Sequence, residues 1–109
     1  MTVEELKAAL AKIQEPKGYY FNHDSQQVND VLAELMENKK RYGYMSCPCR
    51  LANGDKAKDD DIICPCVYRE ADVAEYGLCF CGLYVIKQWN EAGKPTMVIP
   101  DRRPGNRII

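Results

Sequence analysis

Leu6, Ala9, Leu10 and Ile13 recur at the three-to-four-residue spacing that gathers apolar side chains on one helix face. Thr2 followed three residues later by Glu5 is a capping box, so the pattern predicts a packing helix over about Val3 to Gln14, closed by Glu15-Pro16 and Gly18. Tyr19-Tyr20-Phe21 is a short aromatic extended segment that fits a core strand or a lid equally well. Val28, Val31, Leu32, Leu35 and Met36 make a second apolar stripe, with Asp24 or Ser25 as its cap and an end near Lys40. Lys39, Lys40 and Arg41 suit the negative end of that helix's dipole, which is a sufficient account of the basic run, with docking of an acidic partner as the secondary reading. Beyond it the periodicity breaks. Tyr42 to Ser46 reads as a loop, Asn53-Gly54-Asp55 as a turn, and Asp59-Asp60-Asp61 as a solvated acidic loop or a helix start. That acidic run lacks the alternating oxygen ligands around a glycine that a calcium loop needs. Ala71 to Tyr76 reads as a short helix stopped by Gly77. Leu83-Tyr84-Val85-Ile86 is too short to assign to helix or strand, and Trp89 is expected to pack beside it. From Gly93 onward, Pro95, Pro100, Pro104 and Gly105 punctuate a tail expected to lie irregularly over the core, ending in solvated Arg102, Arg103 and Arg107.

Composition narrows the class. A chain of 109 residues, 46% hydrophobic and 28% charged, is one folded domain with a modest core. A formal net charge of -1 gives no global field, so neither nucleic acid nor anionic membrane is expected as a partner. No apolar run reaches bilayer length. Met1 to Ile13 is charged and amphipathic, without the apolar centre of an export signal. The expectation is a cytoplasmic protein, where paired cysteines are more often catalytic or metal-bound than structural. His23, the only histidine, lies in a loop with no partner signature and is read as a surface residue. No Gly-rich phosphate loop or dinucleotide fingerprint occurs.

The chemistry is concentrated in cysteine. All six fall in three pairs of one grammar: Cys47-Pro48-Cys49, Cys64-Pro65-Cys66 and Cys79-Phe80-Cys81. Residues 50 to 63 put fourteen positions between the first two pairs, and residues 67 to 78 put twelve between the last two. A [4Fe-4S] cluster takes four thiolates from a protein, which leaves two, the number needed for one disulfide. Structural zinc also takes four sulfurs, but its paired cysteines usually stand two to four residues apart so that both converge on one ion. In extended backbone, residues i and i+2 lie roughly 7 Å apart on one side, too far for one small ion, although a turn at proline brings them closer. A zinc-stabilised binding module without redox activity is therefore the competing reading. Spacing alone does not decide which cysteines do which.

Cys47-Pro48-Cys49-Arg50, Cys64-Pro65-Cys66-Val67, Arg69-Glu70 and Cys79-Phe80-Cys81 resemble the catalytic β chain of ferredoxin:thioredoxin reductase, and more narrowly the shorter bacterial and archaeal ferredoxin:disulfide reductases. The likeness extends to Gly18-Tyr19-Tyr20-Phe21 and to the tail from Ile99 to Pro104. It implies a mainly α fold, with a small α+β variant open, as a small single domain over residues 1–109 wrapped around one [4Fe-4S] cluster. The same resemblance implies that Cys47, Cys64, Cys66 and Cys79 ligate the cluster iron. Cys49 and Cys81 would form a redox-active disulfide, with Cys49 the exposed nucleophile and Cys81 against the cluster. Ferredoxin would be the donor, and thioredoxin or a similar small protein the acceptor. A small variable subunit accompanies the photosynthetic members. Ferredoxin near roughly −400 mV and thioredoxin near roughly −270 mV leave about 6 kcal/mol for the two-electron step. One departure concerns protons: plant-type members carry histidine where this chain has Phe80, so water, a tyrosine such as Tyr68 or Tyr76, or a partner group would replace it. The first gap between pairs is also shorter than in plant-type members and the second longer, with the added residues near Ala71 to Tyr76.

Overall fold

Thr2 and Glu5 close the capping box: the Thr2 hydroxyl accepts the Glu5 N–H and the Glu5 carboxylate accepts the Thr2 N–H, each at 3.1 Å. The helix so started, α1 (Val3–Gln14), has the expected bounds and passes into one 3-10 turn over Glu15–Lys17 that stops at Gly18. This is a computed structural model, and it describes residues 1–108. The aromatic segment becomes β1 (Tyr20–Phe21), paired antiparallel with β2 (Tyr84–Val85), so that Tyr20 faces Val85 and Phe21 faces Tyr84. The Tyr19 and Phe21 rings pack on Tyr84 at 6.4 and 5.5 Å between centroids. Both open questions from the sequence are thereby answered: β1 is a wall of the core, and the apolar segment after Gly82 is a strand.

Asp24 caps α2 (Ser25–Tyr42) by accepting the Gln27 N–H at 3.2 Å. The helix continues to Tyr42, past the expected end near Lys40, because the first residue able to take a left-handed stop is Gly43, at φ 87°. Val28, Val31, Leu32 and Leu35 are buried against Leu6, Ile62, Val73 and Leu83, while Met36 sits at the edge. The cysteines Cys47, Cys79 and Cys81 belong to this same core. Four short helices complete the described residues: α3 (Lys56–Asp59), α4 (Arg69–Tyr76), α5 (Lys87–Glu91) and α6 (Gly105–Ile108). A smaller cluster of Leu78, Val85, Trp89 and Ile99 seats Trp89 beside β2, as expected. About half the residues are helical, with one two-stranded sheet, and the radius of gyration of 13.4 Å is that of a single compact domain of this length.

Two expectations about charge are corrected. Asp59 and Asp61 are not solvated: Asp59 ends α3 fully buried, Asp61 is buried, and Asp60 alone stays exposed. Asp59 accepts the backbone N–H groups of Asn53 and Gly54 and the Tyr44 hydroxyl. Arg103 is not a solvated end either. Its buried guanidinium lies 3.0 Å from Asp61 and 3.4 Å from Asp59. Arg102 pairs with Asp72 and Glu75, and Arg107 with Asp60 and Asp61. The linear pattern shows a charge but not its opposite some forty residues away. Two polar segments with few apolar side chains cover each other by burying their charges in pairs.

Candidate active site

The first two cysteine pairs leave one short antiparallel contact. Ser46 bridges Ile63, Cys47 N–H donates to the Ile62 carbonyl and Cys64 N–H to the Met45 carbonyl, both at 2.8 Å. Proline after each leading cysteine has no N–H to extend the ladder, so the chain turns there. The third pair occupies the turn of a hairpin: Leu78 bridges Val85, Cys79 N–H donates to the Tyr84 carbonyl, and Gly82 N–H donates back to Cys79, each bond 2.9 Å. Gly82 takes φ 72°, and a Cβ there would lie 2.8 Å from Thr96 Cγ2, so the turn requires glycine twice over. α2 pins both arms. Asn38 Nδ2 donates to the Ser46 carbonyl at 3.0 Å and Gln27 Nε2 to the Cys81 carbonyl at 2.8 Å.

Five cysteines, Cys47, Cys64, Cys66, Cys79 and Cys81, line a small cavity together with Arg50, Arg69, Phe80 and Tyr84. Cys49 does not line it and is exposed. Cys47, Cys79 and Cys81 are buried, and Cys64 and Cys66 half-buried. The Cys79 and Cys81 sulfurs stand 3.8 Å apart, and Cys79 Sγ accepts the Tyr84 N–H at 3.3 Å. Among the described residues, no three His, Cys, Asp or Glu side chains converge as one bound metal ion requires. The sulfurs surround a space instead.

Hydrogen bonding sorts the thiols. Cys47 and then Cys81 stabilise the Cys49 thiolate and hold its pKa down, to about 4. Cys47 is pushed up by its bond to Cys49, and Cys81 by its bonds to Cys47 and then Cys49. Burial lifts Cys64 and Cys66, with the Arg50 charge opposing the lift at Cys66. An exposed thiol biased toward thiolate has the character of a nucleophile.

A family model described as the ferredoxin thioredoxin reductase catalytic beta chain matches residues 1–100. The chain belongs to this family. The match spans all six cysteines and stops short of Arg102, Arg103 and Arg107. No curated protein matches the chain. As a member of the ferredoxin thioredoxin reductase catalytic beta chain family, it is a catalytic chain of the oxidoreductase class, and no helix among its described residues is long and apolar enough to cross a membrane.

Around this family's cysteine motif, three residues with no role assigned from sequence take prominent places. Arg50 is buried, and its Nη1 donates to Cys66 Sγ at 3.3 Å. Its position directly after Cys-Pro-Cys was the available signal. Tyr84 lines the cavity with a buried hydroxyl that has no partner among the described residues. Arg69 lies over the rings of Tyr19 and Tyr84, at 3.8 and 5.0 Å. The tyrosines considered for proton handling stand elsewhere. The Tyr68 hydroxyl donates to Asp61 at 2.7 Å and is pushed up to about 12 by burial and that bond, while Tyr76 packs with Trp89 and Ile99. His23 is exposed, its Nε2 2.7 Å from the Lys94 carbonyl oxygen.

Proposed function

We propose that residues 1–109 form one catalytic domain that reduces the disulfide of thioredoxin or a similar small protein in the cytoplasm, with electrons delivered one at a time by ferredoxin. The observation that carries this reading is the sorting of the sulfurs: five around one cavity and a sixth, Cys49, outside and exposed. A [4Fe-4S] cluster fits these residues. The donors are thiols arranged about a space, and two cavity-lining residues, Arg50 and Tyr84, keep buried polar atoms without a hydrogen-bond partner among the described residues. Cys47, Cys64, Cys66 and Cys79 would hold it, with the fold wrapped around it. When bound, the cluster supplies single electrons to the neighbouring sulfur pair.

The chain's own sulfurs do the rest. With Cys49 and Cys81 reduced, the Cys49 thiolate attacks one sulfur of the partner disulfide, forming a mixed disulfide and releasing the other partner sulfur as a thiolate. Cys81 then attacks Cys49 Sγ, freeing the reduced partner and leaving a Cys49–Cys81 disulfide. The partner gains the two electrons that the sulfur pair loses, and two ferredoxins restore them in turn. Exposed Leu51 and Val67, each beside a Cys-Pro-Cys turn, offer an incoming protein an apolar footing at these turns.

The test uses the anaerobically purified chain. Iron, acid-labile sulfide and visible absorbance are expected, and alkylation of the reduced Cys49 thiol should change the cluster spectrum. Cys49→Ser should lower disulfide reduction by at least about 10³-fold, since the nucleophile is lost. Zinc in a colourless protein, or a spectrum indifferent to Cys49, overturns the reading.

A further inference from the structure

Arg50 is a cation buried where burial is expensive. Its side chain is 1% exposed, and it sits on the cavity wall. Nη1 points hydrogen to sulfur twice, at 3.3 Å to Cys66 and 4.0 Å to Cys47. The guanidinium carbon lies 4.3 Å from the centre of the Phe80 ring and 5.0 Å from that of Tyr68. On the other side Nε donates to Asp101 at 3.0 Å, and Nη2 stands 3.8 Å from Asp72, an ion pair too long for a hydrogen bond. A structural arginine of this kind would direct its donors to carboxylates. This one divides them, giving its carboxylate partners Nε and a long contact while turning Nη1 to sulfur.

We propose that Arg50 sets the reduction potential of the sulfur cavity, its fixed charge and N–H donors stabilising the electron-rich state of the centre held by Cys47 and Cys66, with Phe80, Tyr68 and Asp101 positioning it. The proposal rests on the function proposed above. An added electron is stabilised by a nearby positive charge and by hydrogen bonds to the sulfurs, so both contributions raise the potential. Phe80 then has a part that needs no proton, because its ring face holds the cation beside the cysteines. Asp101 opposes the effect, since its negative charge lies against the same guanidinium.

The experiment is a potentiometric titration of the one-electron couple in Cys49-alkylated protein, followed by visible absorbance and electron paramagnetic resonance. Arg50→Met should move the midpoint negative by at least a tenfold change in the one-electron equilibrium, about 59 mV. Arg50→Lys, which keeps the charge but not the planar fork, should fall between it and the wild type. Asp101→Asn should shift the midpoint the opposite way by a smaller amount, and because the amide oxygen still accepts from Arg50 Nε and so keeps the guanidinium positioned, it tests the assignment even where Arg50→Met assembles no cluster. Unshifted midpoints in cluster-bearing variants, or a negative shift for Asp101→Asn, overturn the Arg50 assignment alone. Wild-type protein without iron and sulfide overturns the proposed function, and this assignment with it.

Discussion

Phe80 stands between the last two cysteines, where plant-type relatives carry histidine, and its ring faces the Arg50 guanidinium instead of offering a proton. Phe80→His should therefore introduce a new inflection in the pH profile of turnover, below the ordinary imidazole value of about 6.5 because Arg50 disfavours a second positive charge. A stopped-flow or steady-state profile between pH 5 and 8 measures it. A profile matching the wild type would show that this position takes no part in proton transfer. The six cysteines were legible because their residue type carries the chemistry and their spacing repeats. Arg50 was not, because its meaning depends on Asp101 and Asp72, which the chain brings in only from far downstream.

At the scale of elements, local signals did best where an element ends on its own residues. Thr2 and Glu5 fix the start of α1 and Gly77 fixes the end of α4, whereas α2 runs past the expected end near Lys40 and stops at Gly43. Gly77 has a second task, since its carbonyl accepts the Ile86 N–H at 3.0 Å in the hairpin that carries Cys79 and Cys81. Its φ of 86° is left-handed, and a Cβ there would stand 3.0 Å from Trp89 Cε3 in a buried indole. Gly77→Ala should cost about 2 kcal/mol, the left-handed penalty plus crowding, read from the midpoint of urea unfolding. Strand β2 was ambiguous from its own four apolar residues because its partner, β1, lies more than sixty positions away, with Phe21 opposite Tyr84. Pairing across that distance leaves no periodic trace in either segment.

At the scale of the whole molecule, the tail is held by charge. Asp61 accepts Tyr68, Arg103 and Arg107. Burial alone would raise its pKa, but the Tyr68 hydrogen bond and then the two arginines win and hold it down, to about 2. A carboxylate depressed in the folded state stabilises it fully above its unfolded value near 3.9, and that stability is lost as pH falls toward about 2. Acid unfolding followed by circular dichroism should fall in that window, and Asp61→Asn should flatten the pH dependence there. A transition of the same steepness in the variant would place the acid response elsewhere. Composition foresaw the single domain, but it counted these charges as surface. Net charge reports a sum, and burial depends on which opposite charges meet.

Arg102 reaches back to Asp72, the carboxylate that also faces Arg50, and Asp101 holds Arg50 directly. The last stretch of the polypeptide, beyond residue 100 where the family-model match ends, is thus fastened to the wall of the sulfur chamber. A protease nick after Pro100 that left every cysteine in place would still loosen that arginine, and under the role proposed for Arg50 the electron affinity of the chamber would drift with it.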